Sequence, residues 1–163
     1  MQVKSRHHLR SDEVRELEAA VNERLGVDLD GDTYELVETE SGPFDLVLVN
    51  DEPLAMYYED DTERQPFLTV RGANATEPTR RVVTVDAGAV SFVSDGADVM
   101  RPGIVEADDA ISAGDLVVIA EETHGKVLAV GRARVAGEEM VGDSGKVVDS
   151  IHHVGDELYT FAP

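Results

Sequence analysis

The sequence contains no cysteine and no tryptophan, and none of its apolar stretches is long. Without cysteine, neither a disulfide framework nor a thiolate metal site can form, which excludes the small secreted proteins that disulfides hold together. A membrane-spanning helix needs roughly 18 consecutive apolar residues, and residues 1–8 lack the apolar segment of a secretory signal peptide. We therefore expect a cytoplasmic protein that makes no membrane contact.

Aromatic residues make up only 5% of the 163 residues, so the core has to be built mainly from Val, Leu, Ile and Ala. Valines in short runs are typical of strands, because a β-branched side chain fits a pleated sheet better than a helix. The length predicts one domain, or two small ones that share an interface.

Basic residues are scarce: 34 acidic residues face 14 basic ones, which gives a formal net charge of −20. The acidic residues are interleaved with apolar runs along the whole chain, which indicates a folded protein with an acidic surface rather than a disordered tail. Our hypothesis is a halophilic protein from a cytoplasm with molar salt, because at that concentration the Debye length is about 3 Å and carboxylates hardly repel each other. A melting temperature that is the same in dilute buffer and in molar KCl would contradict this hypothesis.

Residues 1–10, the basic segment, contain no acidic residue and five basic ones, namely Lys4, Arg6, His7, His8 and Arg10. The segment is either a frayed terminus or a contact for RNA phosphate. A helix is predicted after it over residues 11–25, with Ser11 as its cap and Gly26 as its stop. Its apolar face consists of Val14, Leu17, Val21 and Leu25.

The acidic stretch 28–32 resembles the start of a calcium-binding loop but fails the pattern at two positions. Thr33 and Thr39 stand where that loop requires a glycine and a bidentate glutamate. We therefore expect an acidic turn, followed by an antiparallel meander over residues 33–58.

A short helix is predicted over residues 64–71, and a linker over residues 72–79. The predicted first module, an α+β unit, thus spans residues 1–79. From residue 80 onwards the chain changes to short, closely spaced strands with one glycine-rich helix, which predicts a mostly-β, partly closed barrel over residues 80–163. The strands are expected at 82–85, 116–119, 127–130, 147–151 and 158–161.

The glycine-rich helix belongs to a run from residue 85 to residue 104 that ends on Arg101-Pro102-Gly103. It contains three glycines and three alanines, so that a ligand can approach the backbone closely. Such a surface suits a flat or phosphate-bearing ligand.

This run resembles the signature of the PUA domain, the RNA-binding module named after pseudouridine synthases and archaeosine transglycosylases. The residues that carry the resemblance are Val85-Asp86-x-Gly88-Ala89-Val90-x-Phe92-Val93-x-x-Gly96-Ala97-Asp98-Val99-Met100-Arg101-Pro102-Gly103-Ile104. Three later segments, 111–117, 128–133 and 145–156, resemble the strands that follow in that domain. The ordered motifs extend over some 80 residues, so the predicted second module is identified as a PUA pseudo-barrel.

The layout is similar to that of archaeal relatives of the malignant T-cell-amplified-sequence protein and of the N-terminal half of ligatin. In that family the first module is called pre-PUA, and eukaryotic members act on the small ribosomal subunit with tRNA. The resemblance therefore implies a non-catalytic RNA-binding protein of translation or RNA metabolism. Its partner would be the single-stranded end or loop of a tRNA or rRNA, together with the small subunit or a translation-factor protein.

The resemblance also implies which residues bind RNA, on the face between the glycine helix and the last strand. They are Gly88, Ala89, Gly96, Ala97, Met100, Arg101, Gly103, Arg132 and His152, with Arg134 and Lys146 at the rim. Ala87 and Ser91 stand where many relatives carry Lys or Arg. We therefore expect shape and hydrogen bonds, more than net charge, to hold the RNA.

No nucleophile with a base and no phosphate-binding loop is evident, so we expect neither catalysis nor a cofactor. His152 and His153 are not expected to bind a metal, because neighbouring residues of a strand point to opposite faces. Two alternatives to a stand-alone RNA-binding factor stay open. One is an accessory subunit of an RNA-modification enzyme, of the pseudouridine or archaeosine type, whose catalytic domain is on another chain. The other is an adaptor that binds a protein through its pre-PUA face.

Overall fold

The first module is a five-stranded antiparallel sheet whose strands are hydrogen-bonded in chain order, with two helices packed on it. The computed structural model describes residues 1–40 and 42–163. The elements of this module are β1 (Val3–His8), α1 (Ser11–Leu25), β2 (Tyr34–Thr39), β3 (Phe44–Val49), β4 (Glu52–Glu59), β5 (Arg64–Leu68) and α2 (Val70–Thr76). Helix α1 buries Leu17, Val21 and Leu25, three of the four residues predicted for its apolar face.

The predicted helix over residues 11–25 is confirmed, and Gly26 ends it in the left-handed conformation at φ +71°. The cap differs from the prediction: Arg10, not Ser11, is the residue before the helix, and its backbone N–H donates to the Glu13 carboxylate at 3.0 Å. The basic segment is not frayed, because its residues Val3–His8 form the edge strand β1. Arg6 of this strand pairs with Glu35 at 2.7 Å.

The predicted meander is confirmed as strands β2, β3 and β4. Its second turn, Asn50-Asp51, has φ of 50° and 67°, the conformation of a two-residue hairpin turn that suits asparagine and aspartate. The short helix predicted over residues 64–71 is wrong, since residues 64–68 form strand β5. Pro66 lies on this edge strand, where a missing N–H removes no ladder hydrogen bond.

Helix α2 replaces most of the predicted linker over residues 72–79. Its first turn is capped by Thr69, whose Oγ1 accepts from the Gly72 N–H at 3.0 Å. Gly72 and Ala73 are buried against strand β4. A β-carbon at residue 72 would lie 1.8 Å from the Leu54 carbonyl oxygen, so only glycine allows this packing. The boundary between residues 79 and 80 stays a prediction.

The second module is a partly closed barrel built on a six-stranded sheet with order β7-β11-β10-β9-β6-β8. Its elements are β6 (Val82–Val85), α3 (Val90–Ser94), β7 (Val99–Met100), β8 (Ile104–Ala107), β9 (Leu116–Glu121), β10 (Val127–Ala133), β11 (Lys146–His153) and α4 (Glu157–Thr160). Strands β6 and β9 pair in parallel, and the other pairs are antiparallel. The strand predicted over residues 158–161 is wrong: Asp156 caps helix α4 there.

Strand β9 is buried on both faces, which explains its unbroken apolar sequence. Leu116, Val118 and Ala120 belong to a core shared with the first module, whereas Val117 and Ile119 belong to the interior of the barrel. The two modules therefore meet through a continuous apolar junction. The predicted fold class, an α+β module followed by a mostly-β barrel, is confirmed. No helix in the described part of the chain is long and apolar enough to cross a membrane.

Candidate nucleic-acid interface

A groove of about 380 Å³ opens on the second module where the glycine-rich run folds back on itself. Its walls come from the 3₁₀ turn Ala87–Ala89, helix α3, strand β7 and the 3₁₀ turn Arg101–Gly103. We call it the glycine groove. Its lining residues are Asp86, Gly88, Ala89, Phe92, Val93, Ala97, Asp98, Val99, Met100, Pro102 and Gly103.

Local hydrogen bonds explain why the sequence folds in this way. The Asp86 carboxylate accepts from the Ala89 N–H at 3.0 Å and caps the first turn. The Asp86 N–H donates to the Gly103 carbonyl at 2.9 Å, which draws the two 3₁₀ turns together. A β-carbon on Gly103 would lie 3.0 Å from the β-carbon of Ala89, so small residues are needed on both sides.

Two large apolar side chains stand exposed at the groove. Phe92 is 67% exposed and Met100 is 47% exposed, although neighbouring Val93 and Val99 are buried in the barrel. An exposed aromatic ring beside bare backbone is a surface on which an unpaired nucleobase can stack. Of these two side chains, only Met100 is among the residues predicted to bind RNA. The sequence signal for Phe92 is its position directly before Val93 on a short helix. Because neighbouring residues of a helix point in different directions, burial of Val93 leaves the Phe92 side chain exposed.

Arg101 stands between the groove residues Met100 and Pro102 in sequence, but its side chain is not part of the groove lining. Its Nε and Nη1 donate to the carbonyl oxygens of Glu139 at 2.9 Å and of Ser144 at 3.0 Å. Carbonyl oxygens hold the guanidinium in place but do not neutralise it. Arg101 therefore provides a fixed positive charge beside the groove.

The two predicted rim residues are neutralised by carboxylates. Lys146 lies 2.9 Å from Asp98, and Arg134 lies 2.9 Å from Asp149. Burial acts to raise the pKa of Asp98, but the hydrogen bond from Lys146 and one from the Ser150 N–H lower it below its usual value. Lys146 thus compensates Asp98 of the groove lining, and Arg134 compensates Asp149 outside that lining, which leaves both basic residues less able to attract phosphate.

The structure corrects the predicted role of His152, which is fully buried at the module junction and does not reach the groove. Its Nε2 accepts from the Val70 N–H at 3.1 Å, so this nitrogen carries no proton. Its Nδ1 then carries the proton of the neutral ring and donates to Asp156 at 2.9 Å. Both ring nitrogens are occupied, and His152 connects strand β11 to helix α2.

Arg132 also lies at the junction, 3.5 Å from Asp60 of the first module. Backbone N–H groups of Glu63 and Thr62 each donate to the Asp60 carboxylate at 2.9 Å and, with the Thr62 hydroxyl, lower its pKa to about 2. Asp60 therefore remains ionised and holds the Arg132 guanidinium away from the predicted RNA-binding face.

His153 supports the groove, a role that the sequence did not reveal. Its Nδ1 lies 3.0 Å from the Ser94 carbonyl oxygen at the end of α3. Its ring fills the space beside Gly96, where a β-carbon would lie 2.7 Å from Nε2. The two neighbouring histidines do point to opposite faces, as expected for a strand. Among residues 1–40 and 42–163, no group of three or more His, Cys, Asp or Glu is arranged to hold a metal ion.

Comparison with known proteins agrees with this arrangement. The profile of the PUA domain matches residues 81–155, and that of a domain of unknown function, DUF1947, matches residues 5–62. The Methanocaldococcus jannaschii protein MJ1432 is 39% identical over 119 residues, which cover 72% of this chain and 71% of the relative. The chain belongs to this family of two-module PUA proteins.

The whole fold of this PUA protein recurs in a solved structure, that of the hypothetical protein PH0734.1 from Pyrococcus horikoshii. It is 31% identical, superimposes with a TM-score of 0.82, and the match covers 95% of this chain and 98% of that one. Translation machinery-associated protein 20 of Saccharomyces cerevisiae is 36% identical over 87 residues. That match covers 49% of this chain and 48% of the yeast protein, so the chain spans about half the length of this relative.

Proposed function

We propose that this PUA protein is a non-catalytic RNA-binding factor of the translation machinery, which holds the unpaired end or loop of an RNA in the glycine groove. The observation that carries the proposal is the exposed ring of Phe92 beside the bare backbone of Gly88 and Ala89. The PUA profile and the name of the yeast relative support RNA binding and a role in translation, and hence work in the cytoplasm.

Stacking and close backbone contact would provide most of the binding free energy. A base stacked on an aromatic side chain contributes about 1–3 kcal/mol. Arg101 would contact one phosphate, since its charge is not neutralised by a carboxylate in the described part of the chain. With a net charge of −20, the rest of the surface repels RNA, so binding has to depend on the fit of the groove.

Fluorescence anisotropy with short single-stranded RNA and with tRNA tests the proposal, both in moderate and in molar KCl. Phe92→Ala should weaken binding roughly 5- to 150-fold, which corresponds to the loss of about 1–3 kcal/mol of stacking. The matched control is Val105→Ala, because Val105 is also exposed and apolar but lies on strand β8 outside the groove. If the wild-type protein binds no RNA in either salt, the proposal fails.

A link to translation is tested by co-sedimentation with small ribosomal subunits, which Phe92→Ala should reduce. The two alternative functions make different predictions. An accessory subunit would co-purify from native cells with an RNA-modification enzyme, and a pre-PUA adaptor would bind its protein partner equally well with or without Phe92→Ala. If the protein elutes from native cell extract without a protein partner, both alternatives are contradicted.

A further inference from the structure

A second groove, of about 490 Å³, lies at the junction of the two modules. We call it the junction groove. Strand β4 and helix α2 form one side, and the β9–β10 hairpin and helix α4 form the other. Its lining residues are Glu52, Pro53, Leu54, Arg71, Asn74, Ala75, Lys126 and Tyr159.

The junction groove brings together two basic side chains that form no ion pair with a carboxylate in the described part of the chain. Seven of the fourteen basic side chains form an ion pair with a carboxylate in the described part of the chain. They are Arg6, Arg10, Arg64, Arg81, Arg132, Arg134 and Lys146. Arg71 and Lys126 are not among them, yet 34 acidic residues are available in the sequence. Only one acidic residue, Glu52, lines the groove with them.

Arg71 is held in one orientation. Its guanidinium carbon lies 5.5 Å from the centre of the Tyr159 ring, and its Nη1 donates to the Phe161 carbonyl oxygen at 3.3 Å. Arginine has five N–H donors in a planar arrangement that matches two phosphate oxygens. The other donors of Arg71 therefore remain for an anion, and their orientation is fixed before the anion binds.

The backbone at Lys126 is held next to helix α2 through Val127, the following residue. The Asn74 side chain donates to the Val127 carbonyl at 3.0 Å and accepts from the Val127 N–H at 2.8 Å, which fastens the hairpin to α2. Glu121, the acidic residue at the start of the same hairpin, accepts from the backbone N–H groups of Thr123, His124 and Lys126. Its carboxylate thus binds backbone and does not neutralise the lysine.

We propose that the junction groove is a second contact for the bound RNA and takes a phosphate group of its backbone. This inference rests on the proposed function. Arg71 would bind two phosphate oxygens and Lys126 would add a point charge. Tyr159 would keep the Arg71 guanidinium in place. Because both modules form the groove, the position of this phosphate depends on how the modules are joined.

The double variant Arg71→Gln/Lys126→Gln tests the proposal in RNA-binding titrations at several salt concentrations. It should weaken binding and lower the slope of log K against log salt by about 0.7, which is the contribution of one neutralised phosphate of single-stranded RNA. The control is Arg15→Gln/Arg80→Gln, which removes the same charge from exposed positions outside both grooves. All four side chains are exposed, so both double variants should keep the wild-type melting temperature.

The outcomes separate this inference from the proposed function. If the wild-type protein binds RNA and the two double variants are weakened equally, the junction groove is not a phosphate contact, although RNA binding stands. If the wild-type protein binds no RNA, both proposals fail. A second measurement follows the amide resonances of Arg71 and Lys126 by NMR. RNA and inorganic phosphate are titrated separately at equal ionic strength. If phosphate shifts these resonances at a lower concentration than RNA does, the groove binds a free anion and the RNA contact is wrong.

Discussion

The core at the module junction and the glycine groove are both formed mainly by apolar side chains, but the core is closed and the groove is open. At the junction, Leu116 and Val118 are fully buried, and the polar group that enters, His152, finds a partner on each side. In the groove, Phe92 and Met100 remain largely exposed.

This difference separates the two roles of apolar surface. Burying a large apolar side chain contributes about 1.5–3 kcal/mol. At the junction this free energy stabilises the packing of the two modules against each other. At Phe92 the same free energy is still available to a ligand. We therefore expect substitutions at the junction to change stability, and substitutions in the groove to change binding.

Gly72→Ala should have the largest effect, because it puts a methyl group against the Leu54 carbonyl oxygen at the junction. The backbone of α2 or β4 has to move, and we expect a loss of about 3 kcal/mol in the free energy of unfolding. The matched substitution in the groove is Gly88→Ala, where the nearest atom, Asp86 Oδ1, is 3.4 Å away. Urea denaturation should show a lower midpoint for Gly72→Ala alone. Equal midpoints for the two variants would contradict the claim that the junction, and not the groove, determines stability.

His152→Ala should have the next largest effect, about 2–3 kcal/mol, because it leaves the buried Val70 N–H without a partner and removes one of the hydrogen bonds to the Asp156 carboxylate. Thermal denaturation measures the loss, with His124→Ala at an exposed loop position as the control. RNA affinity, measured well below the melting temperature, should not change. If the folded variant lost RNA affinity, that result would contradict the structural role and indicate that His152 contacts RNA.

The pH dependence of stability should show a smaller effect at Asp156. Burial acts to raise the pKa of Asp156, but the hydrogen bonds from His152 and from the N–H groups of His153 and Tyr159 lower it below the usual 3.8. A lowered pKa stabilises the folded state above the usual value, and this stability is lost as the pH falls through the folded pKa. Asp156→Asn should cost about 1 kcal/mol at neutral pH and should lose less stability than the wild type below pH 4. An unchanged acid transition would contradict this role.

Local sequence patterns were sufficient for the elements whose neighbours are close in sequence. The periodicity of residues 11–25 predicted α1, alternation predicted the meander, and the glycine-rich motif located the groove. Strand β5 and helix α4 were missed because tertiary contacts determine them. Pro66 is tolerated in β5 because this strand lies at the edge of the sheet. Helix α4 begins where the Asp156 side chain caps its first turn.

The partners of charged and polar side chains could not be predicted, since they are far apart in sequence. Arg132 and Asp60 are 72 positions apart, and the hydrogen bond from Val70 to His152 spans 82. Alternation along β11 showed that His152 and His153 diverge. It did not show which of them faces the first module, because helix α2, which covers His152, lies in a stretch that resembled a linker.

The ribosome synthesises the first module before strand β9, which covers part of the apolar core of that module. The core of the first module includes Leu116, Val118, Val127 and Leu158, which a ribosome adds long after helix α2. Until then, a nascent first module exposes the apolar face that β9 will cover. The two modules should therefore reach their native state together, in one cooperative transition, and a chain cut between them would leave each half with an uncovered surface.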